Sequence, residues 1–218
     1  MNPIPAREIN RKLLHGFALA LPIGIYYGPG FFNLPQSAAC YIIGAIFLFV
    51  LVFEGYRLHN RDCQRVFKQL FGPLLRSEEN GKLTGATWVL GGSVICSLLA
   101  LSSQSAAAAA FLGLTLFIIG DAAAALVGKA FGRTRIGRKT LEGALGCYVL
   151  CVLISSLVFP QLPMFLSSWG GHLALWQILL VSGIITVLEF FPLQMGKLTI
   201  NDNLYVPALA TLAAMLLR

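Results

Sequence analysis

Residues 120–143 read GDAAAALVGKAFGRTRIGRKTLEG. The stretch starts inside an apolar run that holds one carboxylate, Asp121. It leaves that run through Gly128 and Gly132 into Lys129, Arg133, Arg135, Arg138 and Lys139. A second carboxylate, Glu142, opens the next apolar run. An acid is costly in lipid, so one that is kept there usually has a function. Glycines and cations beside it suit phosphate oxygens, through backbone N–H groups and charge-assisted hydrogen bonds. An acid within an apolar helix, followed by a glycine-punctuated basic loop, implies a metal–nucleotide site at a membrane face.

Composition sets the frame around that stretch. The chain has 218 residues, 57% hydrophobic and only 11% charged, where a soluble domain carries about 25% charged residues. The apolar runs are too many and too long for one soluble core. The N-terminus, MNPIPAREINRK, lacks the layout of a cleaved signal. No long polar linker divides the chain, so residues 1–218 read as a single integral membrane domain. The expected fold is all-α and polytopic, with about seven spans near 13–29, 37–54, 84–102, 106–128, 143–160, 173–192 and 204–217. Pro22, Gly24 and Pro207 interrupt the first and last of these. The five cysteines form no C-x-x-C pair and read as small buried hydrophobes.

The net charge of +7 is unevenly placed. Arg7, Arg11 and Lys12 precede the first span. Arg57, Arg61, Arg65, Lys68, Arg76 and Lys82 follow the second, the 129–139 cluster follows the fourth, and Lys197 follows the sixth. The alternate loops, near 30–36, 103–105 and 161–172, hold no Lys or Arg. By the positive-inside rule the N-terminus and every basic loop face the cytoplasm. Membrane lipids, not nucleic acid, are the expected partners of this charge. In segment 54–76, Val66, Phe67, Leu70 and Leu74 share a stripe while Arg61, Arg65 and Lys68 face away, as in an interfacial amphipathic helix.

The other acids segregate with the basic loops. Glu54 ends the second span, Glu142 opens the fifth, Glu189 lies late in the sixth, and Asp202 stands before the seventh between Asn201 and Asn203. Mg²⁺ prefers oxygen ligands and is often held by one or two carboxylates plus substrate phosphates. Asp121, Asp202 and Glu142 are therefore the metal candidates, with Glu189 beside them. Gly132 to Thr140 mimics a P-loop with one residue too many, G-x4-G-R-K-T. It is not a P-loop, because a membrane helix rather than a strand precedes it. Its physical ingredients still hold: glycines for close backbone approach, Lys139 and Thr140 at a helix start, and the positive end of that helix. Arg11 and Lys12, with His15 four residues after Arg11, place cations and an imidazole at the entry of the first span, suited to a substrate or phosphate. No HExxH, Cys/His zinc pattern or GxSxG elbow occurs.

Four segments, REINRKLLH (7–15), LRSEENGKLTGAT (75–87), residues 120–143 and NDNLYVP (201–207), resemble the membrane CTP-dependent lipid-alcohol kinases. These include dolichol kinase, phytol kinase, CTP-dependent diacylglycerol kinase and bacterial relatives acting on diacylglycerol or polyprenols. The resemblance implies transfer of the γ-phosphoryl of CTP to the hydroxyl of a membrane lipid alcohol, with Mg²⁺, at the cytoplasmic face of what would be a bacterial inner membrane. Carried over by motif, Asp121, Lys139, Glu142, Asp202 and His15 are the expected catalytic residues. Gly128, Lys129, Gly132, Arg133, Arg135, Arg138, Lys139, Thr140 and Asn203 would bind the nucleotide. Arg11, Lys12 and His15 of the first motif, with Glu189 from the acids outside the motifs, would bind the lipid substrate. The family also resembles phosphatidate cytidylyltransferases, which makes nucleotidyl transfer the rival reading. A transporter using its acids as a relay is a second rival, and it expects acids on both sides or inverted repeats.

Overall fold

The computed structural model describes residues 6–72, 79, 81–195 and 198–218. Arg76 and Lys197 of the charge pattern, Leu74 of the amphipathic stripe and Glu78 of the second motif lie outside the described residues. In chain order the structure runs through α1 (Ala6–Gly16), a 3-10 turn (Phe17–Leu19), α2 (Ala20–Tyr26) and α3 (Gly28–Phe31). Next come α4 (Gln36–His59), α5 (Arg61–Phe71), α6 (Gly85–Leu99) and α7 (Gln104–Phe131). A hairpin, β1 (Arg135–Ile136) with β2 (Lys139–Thr140), leads into α8 (Leu141–Leu157) and α9 (Pro163–Trp169). The chain ends with α10 (Leu175–Phe190), a second small hairpin of β3 (Gln194–Met195) and β4 (Leu198–Thr199), and α11 (Asp202–Leu217).

Among the described residues, four helical stretches are long and apolar enough to cross a membrane: Gln36–His59, Gly85–Ser102, Gln104–Phe131 and Leu141–Gln161. They coincide with the second to fifth expected spans. The sixth and seventh, α10 and α11, are apolar but only 16 residues each. The first span is not one helix. A 3-10 turn follows Gly16, and α2 ends at Tyr26 just before Gly28 and Pro29, where weak helix formers and a missing N–H interrupt the ladder.

The fold is built around α7. Ala106 to Ala110 are all buried, and their small side chains let neighbouring helices approach closely. A Cβ on Gly113 would stand 2.8 Å from the backbone nitrogen of Thr211 in α11. One on Gly120 would stand 2.8 Å and 3.0 Å from the sulfurs of Cys147 and Cys151 in α8. At the N-terminal end of α7, Phe111 stacks on Tyr26 at 5.3 Å between centroids and also meets Tyr27, Phe159 and Phe165. Tyr26 satisfies its hydroxyl on Met164 O at 2.7 Å and Ser168 Oγ at 2.8 Å.

The helix expected over 54–76 divides in two. α4 continues to His59, and Asn60 then caps α5, its Oδ1 accepting from the N–H groups of Asp62 and Cys63 at 3.0 Å each. α5 exposes Val66, Leu70 and Phe71 as well as Arg61, Arg65 and Lys68, so its amphipathic pattern is present. Phe67 packs beside Phe53 and Phe71.

Candidate functional site

The C-terminal end of α7 gathers the charged residues. The basic loop is more ordered than an open glycine loop: Arg135 pairs with Thr140 and Ile136 with Lys139 across a two-residue turn, Gly137–Arg138. Gly137 sits at φ 61°, a left-handed conformation that glycine adopts without a Cβ penalty. Thr140 then caps α8, its Oγ1 accepting from the Gly143 N–H at 3.2 Å. Gly128 and Gly132 lie against this cap; a Cβ on Gly128 would stand 2.6 Å from Thr140 Oγ1. Both carboxylate oxygens of Glu142 accept from the Thr134 N–H, at 3.0 and 3.3 Å, and so tie the hairpin entry to the first turn of α8. Arg133, Arg135 and Arg138 are all exposed on this loop.

The hairpin delivers Lys139 to two acids. Its ammonium lies 2.8 Å from Glu189 Oε1 at the end of α10 and 3.0 Å from Asp202 Oδ2 at the start of α11, and it also donates to the Glu189 carbonyl. Glu189 is buried, and buried charges are tolerated when paired. Burial of Lys139 opposes its charge, but Asp202 and Glu189 more than offset that and hold its pKa above the ordinary lysine value.

Asp121 stands one element away. The Lys12 ammonium donates to Asp121 Oδ2 at 2.5 Å and to the Asp121 carbonyl at 3.1 Å, and His15 Nε2 lies 3.3 Å from the same carboxylate oxygen. Glu8 binds Lys129 at 2.6 Å and also accepts from Arg11. Burial would raise the pKa of Glu8, but hydrogen bonds from Lys129 and Arg11 hold it below the ordinary carboxylate value. A Cβ on Gly143 would stand 2.6 Å from the Ala124 carbonyl, so α7 between Asp121 and Lys129 packs directly on the start of α8 that follows Lys139, and the two lysine-centred groups share one charged region.

A third knot braces this region. Buried Arg57 donates to Glu54 at 2.7 Å and to the Lys82 carbonyl at 2.8 Å, with its guanidinium 4.7 Å from the Phe67 ring centroid. Glu54 also accepts from the Thr84 N–H at 3.2 Å. The Glu79 carboxylate accepts from the Gly85 N–H at 2.9 Å, one of the donors that the first turn of α6 leaves without a helical partner. Asn203 Nδ2 donates to the Gly85 carbonyl at 3.5 Å, joining this knot to the helix that begins with Asp202.

The structure thus brings together Asp121, Lys12 and His15 as one group and Lys139, Glu189 and Asp202 as another. It ties Glu142 to Thr134 and Lys129 to Glu8. Among the described residues no three His, Cys, Asp or Glu side chains form a ready metal-holding group. The donors present are hard carboxylate oxygens, and those of Asp121, Glu189 and Asp202 are matched with ammonium groups. Such a set fits a divalent cation that arrives with phosphates and takes only one or two protein ligands. An open pocket lined by Trp169, His172, Trp176, Gln177 and Arg218 contains none of the expected site residues.

Sequence reading did not single out Glu8, and it gave Glu79 no capping role. The only signals were local: Glu8 stands three residues before Arg11 and four before Lys12, and Glu79 shortly precedes the Thr84–Gly85 turn.

The profile of the cytidylyltransferase family matches residues 4–196. An uncharacterised protein of Rickettsia prowazekii is 26% identical over 204 residues, covering 92% of this chain and 89% of that protein. The dolichol kinase of Saccharomyces cerevisiae is 33% identical over 103 residues, which is 44% of this chain but 17% of the kinase. No solved structure matches the chain.

Proposed function

The chain belongs to the cytidylyltransferase family, and from that premise we propose that it is a CTP-dependent lipid kinase. It transfers the γ-phosphoryl group to the hydroxyl of a membrane lipid alcohol of the diacylglycerol, polyprenol or phytol type. The observation that carries the reading is Lys139, set by a basic hairpin between Glu189 and Asp202 in the same charged region as Asp121. The local similarity to a dolichol kinase supports a phosphoryl rather than a nucleotidyl product.

Phosphoryl transfer depends on positioning and charge neutralisation more than on covalent help. Arg133, Arg135 and Arg138 on the hairpin draw in the triphosphate. Lys139 exchanges part of its carboxylate contact for phosphate oxygens and offsets charge on the transferred group. Lys12 does the same from α1. Mg²⁺, when bound with CTP, would be held by Asp121 together with Asp202 or Glu142 and would neutralise phosphate charge. His15, Asp202 and Glu142 are the groups at this end able to take the hydroxyl proton. The lipid keeps its chains in the bilayer and presents its hydroxyl at the cytoplasmic boundary. In this reading residues 13–29, α10 and α11 complete seven crossings of a bacterial inner membrane.

The family's name favours a second reading, cytidylyl transfer to phosphatidate. Product analysis separates the two. Purified protein in lipid vesicles, given CTP and a panel of lipid alcohols, should release CDP and a lipid monophosphate. Release of pyrophosphate, with a cytidylylated lipid formed from phosphatidate, would establish the second reading.

A further inference from the structure

Glu8 has no role in the reaction described above, yet it is held by two cations. α1 presents Glu8, Lys12 and His15 along one stripe, at i, i+4 and i+7. Glu8 is 8% exposed and Lys12 5%, which is uncommon for charged residues. Their partners on α7 come in reverse order: Glu8 meets Lys129, whereas Lys12 and His15 meet Asp121. The two helices therefore run antiparallel, with an acid of α1 facing a base of α7 and bases of α1 facing an acid of α7. A slip of one turn would put Lys12 in the place of Glu8, against Lys129, or Glu8 in the place of Lys12, against Asp121, and either sets like charges together. Opposed charges in that order specify one register, a use well attested for partly buried ion pairs.

We propose that Glu8 is a positioning residue: through Lys129 it locks α1 in register on α7, so that Lys12 and His15 stand at Asp121. The proposal rests on the kinase reading for its consequence in catalysis, but not for its geometry. It also assigns Lys129 to Glu8 rather than to the nucleotide. Arg11, one turn from Glu8 on α1, holds the Glu8 carboxylate ionised and aimed.

The test has an arm that needs no activity. In membranes, the pair His15→Cys with Asp121→Cys should be bridged by a short bis-maleimide into an intramolecular cross-link, because the native side chains meet at their tips, His15 Nε2 lying 3.3 Å from Asp121 Oδ2. Adding Glu8→Gln should cut the yield several-fold, and exchanging the charges with Glu8→Lys and Lys129→Glu should restore it. An unchanged yield in the Glu8→Gln background overturns the proposal, whatever the chain catalyses. In the second arm, Glu8→Gln in the otherwise native chain should lower kcat about tenfold, the scale expected for a modest misplacement of reacting groups. KM for CTP should change less than about twofold, and the charge exchange should recover kcat. A restored cross-link without restored turnover would make Lys129 a nucleotide ligand and overturn its assignment to Glu8. Lack of CTP-dependent phosphorylation in every variant, with the cross-link pattern as described, would refute the kinase reading and support the register.

Discussion

The two ends of α7 are held in different ways. Around Phe111 the helix is gripped by shape: Tyr26, Tyr27, Phe159 and Phe165 close over it in stacked and edge-on contacts. Around Asp121 and Lys129 it is gripped by charge, through Lys12, His15 and Glu8, with Lys139, Glu189 and Asp202 alongside. Aromatic packing stabilises at little risk. Buried ion pairs give small net stability, since desolvation offsets most of the attraction. A fold seeking stability alone would repeat the first arrangement at both ends. The second end is kept for what its charges do, and substitutions should separate the two roles.

Asp121→Asn should give the largest effect, a loss of turnover on the order of 10²–10³-fold, as when a single electrostatic stabiliser is removed from an active site. Folding should suffer less, because the residue 121 carbonyl and the new amide oxygen can still accept from Lys12. Near-normal kinase activity in this variant would remove the distinction between the ends. Lys139→Met should rank next, costing about 3 kcal/mol of stability because Glu189 is left buried without its cation. Adding Glu189→Gln should recover most of that stability, measured by thermal unfolding in detergent, but none of the turnover. At the opposite end Phe111→Ala should cost about 3 kcal/mol through the cavity it leaves, while turnover per folded molecule stays within about twofold.

Two glycines sharpen the contrast at smaller scale. A methyl group on Gly113 meets the backbone of Thr211, and one on Gly128 meets the Thr140 hydroxyl. Each alanine substitution should cost about 1–3 kcal/mol. Only Gly128→Ala should also slow turnover, because Thr140 caps the helix that follows Lys139. The smallest effect is the pH dependence of the charged end. Glu8 has a lowered pKa when folded, so its contribution is present above the ordinary value of 4.5 and fades as pH falls through the lowered one. Lys139 has a raised pKa, so its contribution is complete below 10.5 and fades as pH rises through the raised value. The gap in melting midpoint between wild type and Glu8→Gln should therefore stay flat near neutral pH and close on acidification. A gap that closes near pH 7 would contradict the ion-pair account.

What the sequence made legible follows the range of the physics involved. Hydropathy located α4, α6, α7 and α8, because each is long enough to declare its environment residue by residue. The cost of an acid in an apolar run pointed to Asp121. The hairpin at 135–140 was missed because its strands are only two residues each, and its main signal is the single glycine at the turn. The break in the first span was expected at Pro22 and Gly24, but both lie within α2; the chain breaks instead after Gly16 and before Gly28-Pro29. The contact of Lys139 with Glu189 and Asp202 joins positions 50 and 63 residues apart. No spacing rule reaches that far; only the packing of α8, α10 and α11 brings the three together. Glu142 looked like a metal ligand by position, and its local bond to the Thr134 N–H became visible only once the loop had a shape.

The central claim is that nucleotide and divalent cation meet at the charged end of α7. Phe111 and Lys129 stand 18 residues apart on α7, about 27 Å at 1.5 Å per residue. A nitroxide can be placed on Ile136→Cys at the hairpin or on Met164→Cys beside the aromatic end, both exposed positions. Its dipolar coupling to Mn²⁺ bound with CTP then reports where the complex sits. Coupling should be strong from position 136 and weak from position 164. Stronger coupling from position 164, or equal coupling from both, would contradict it.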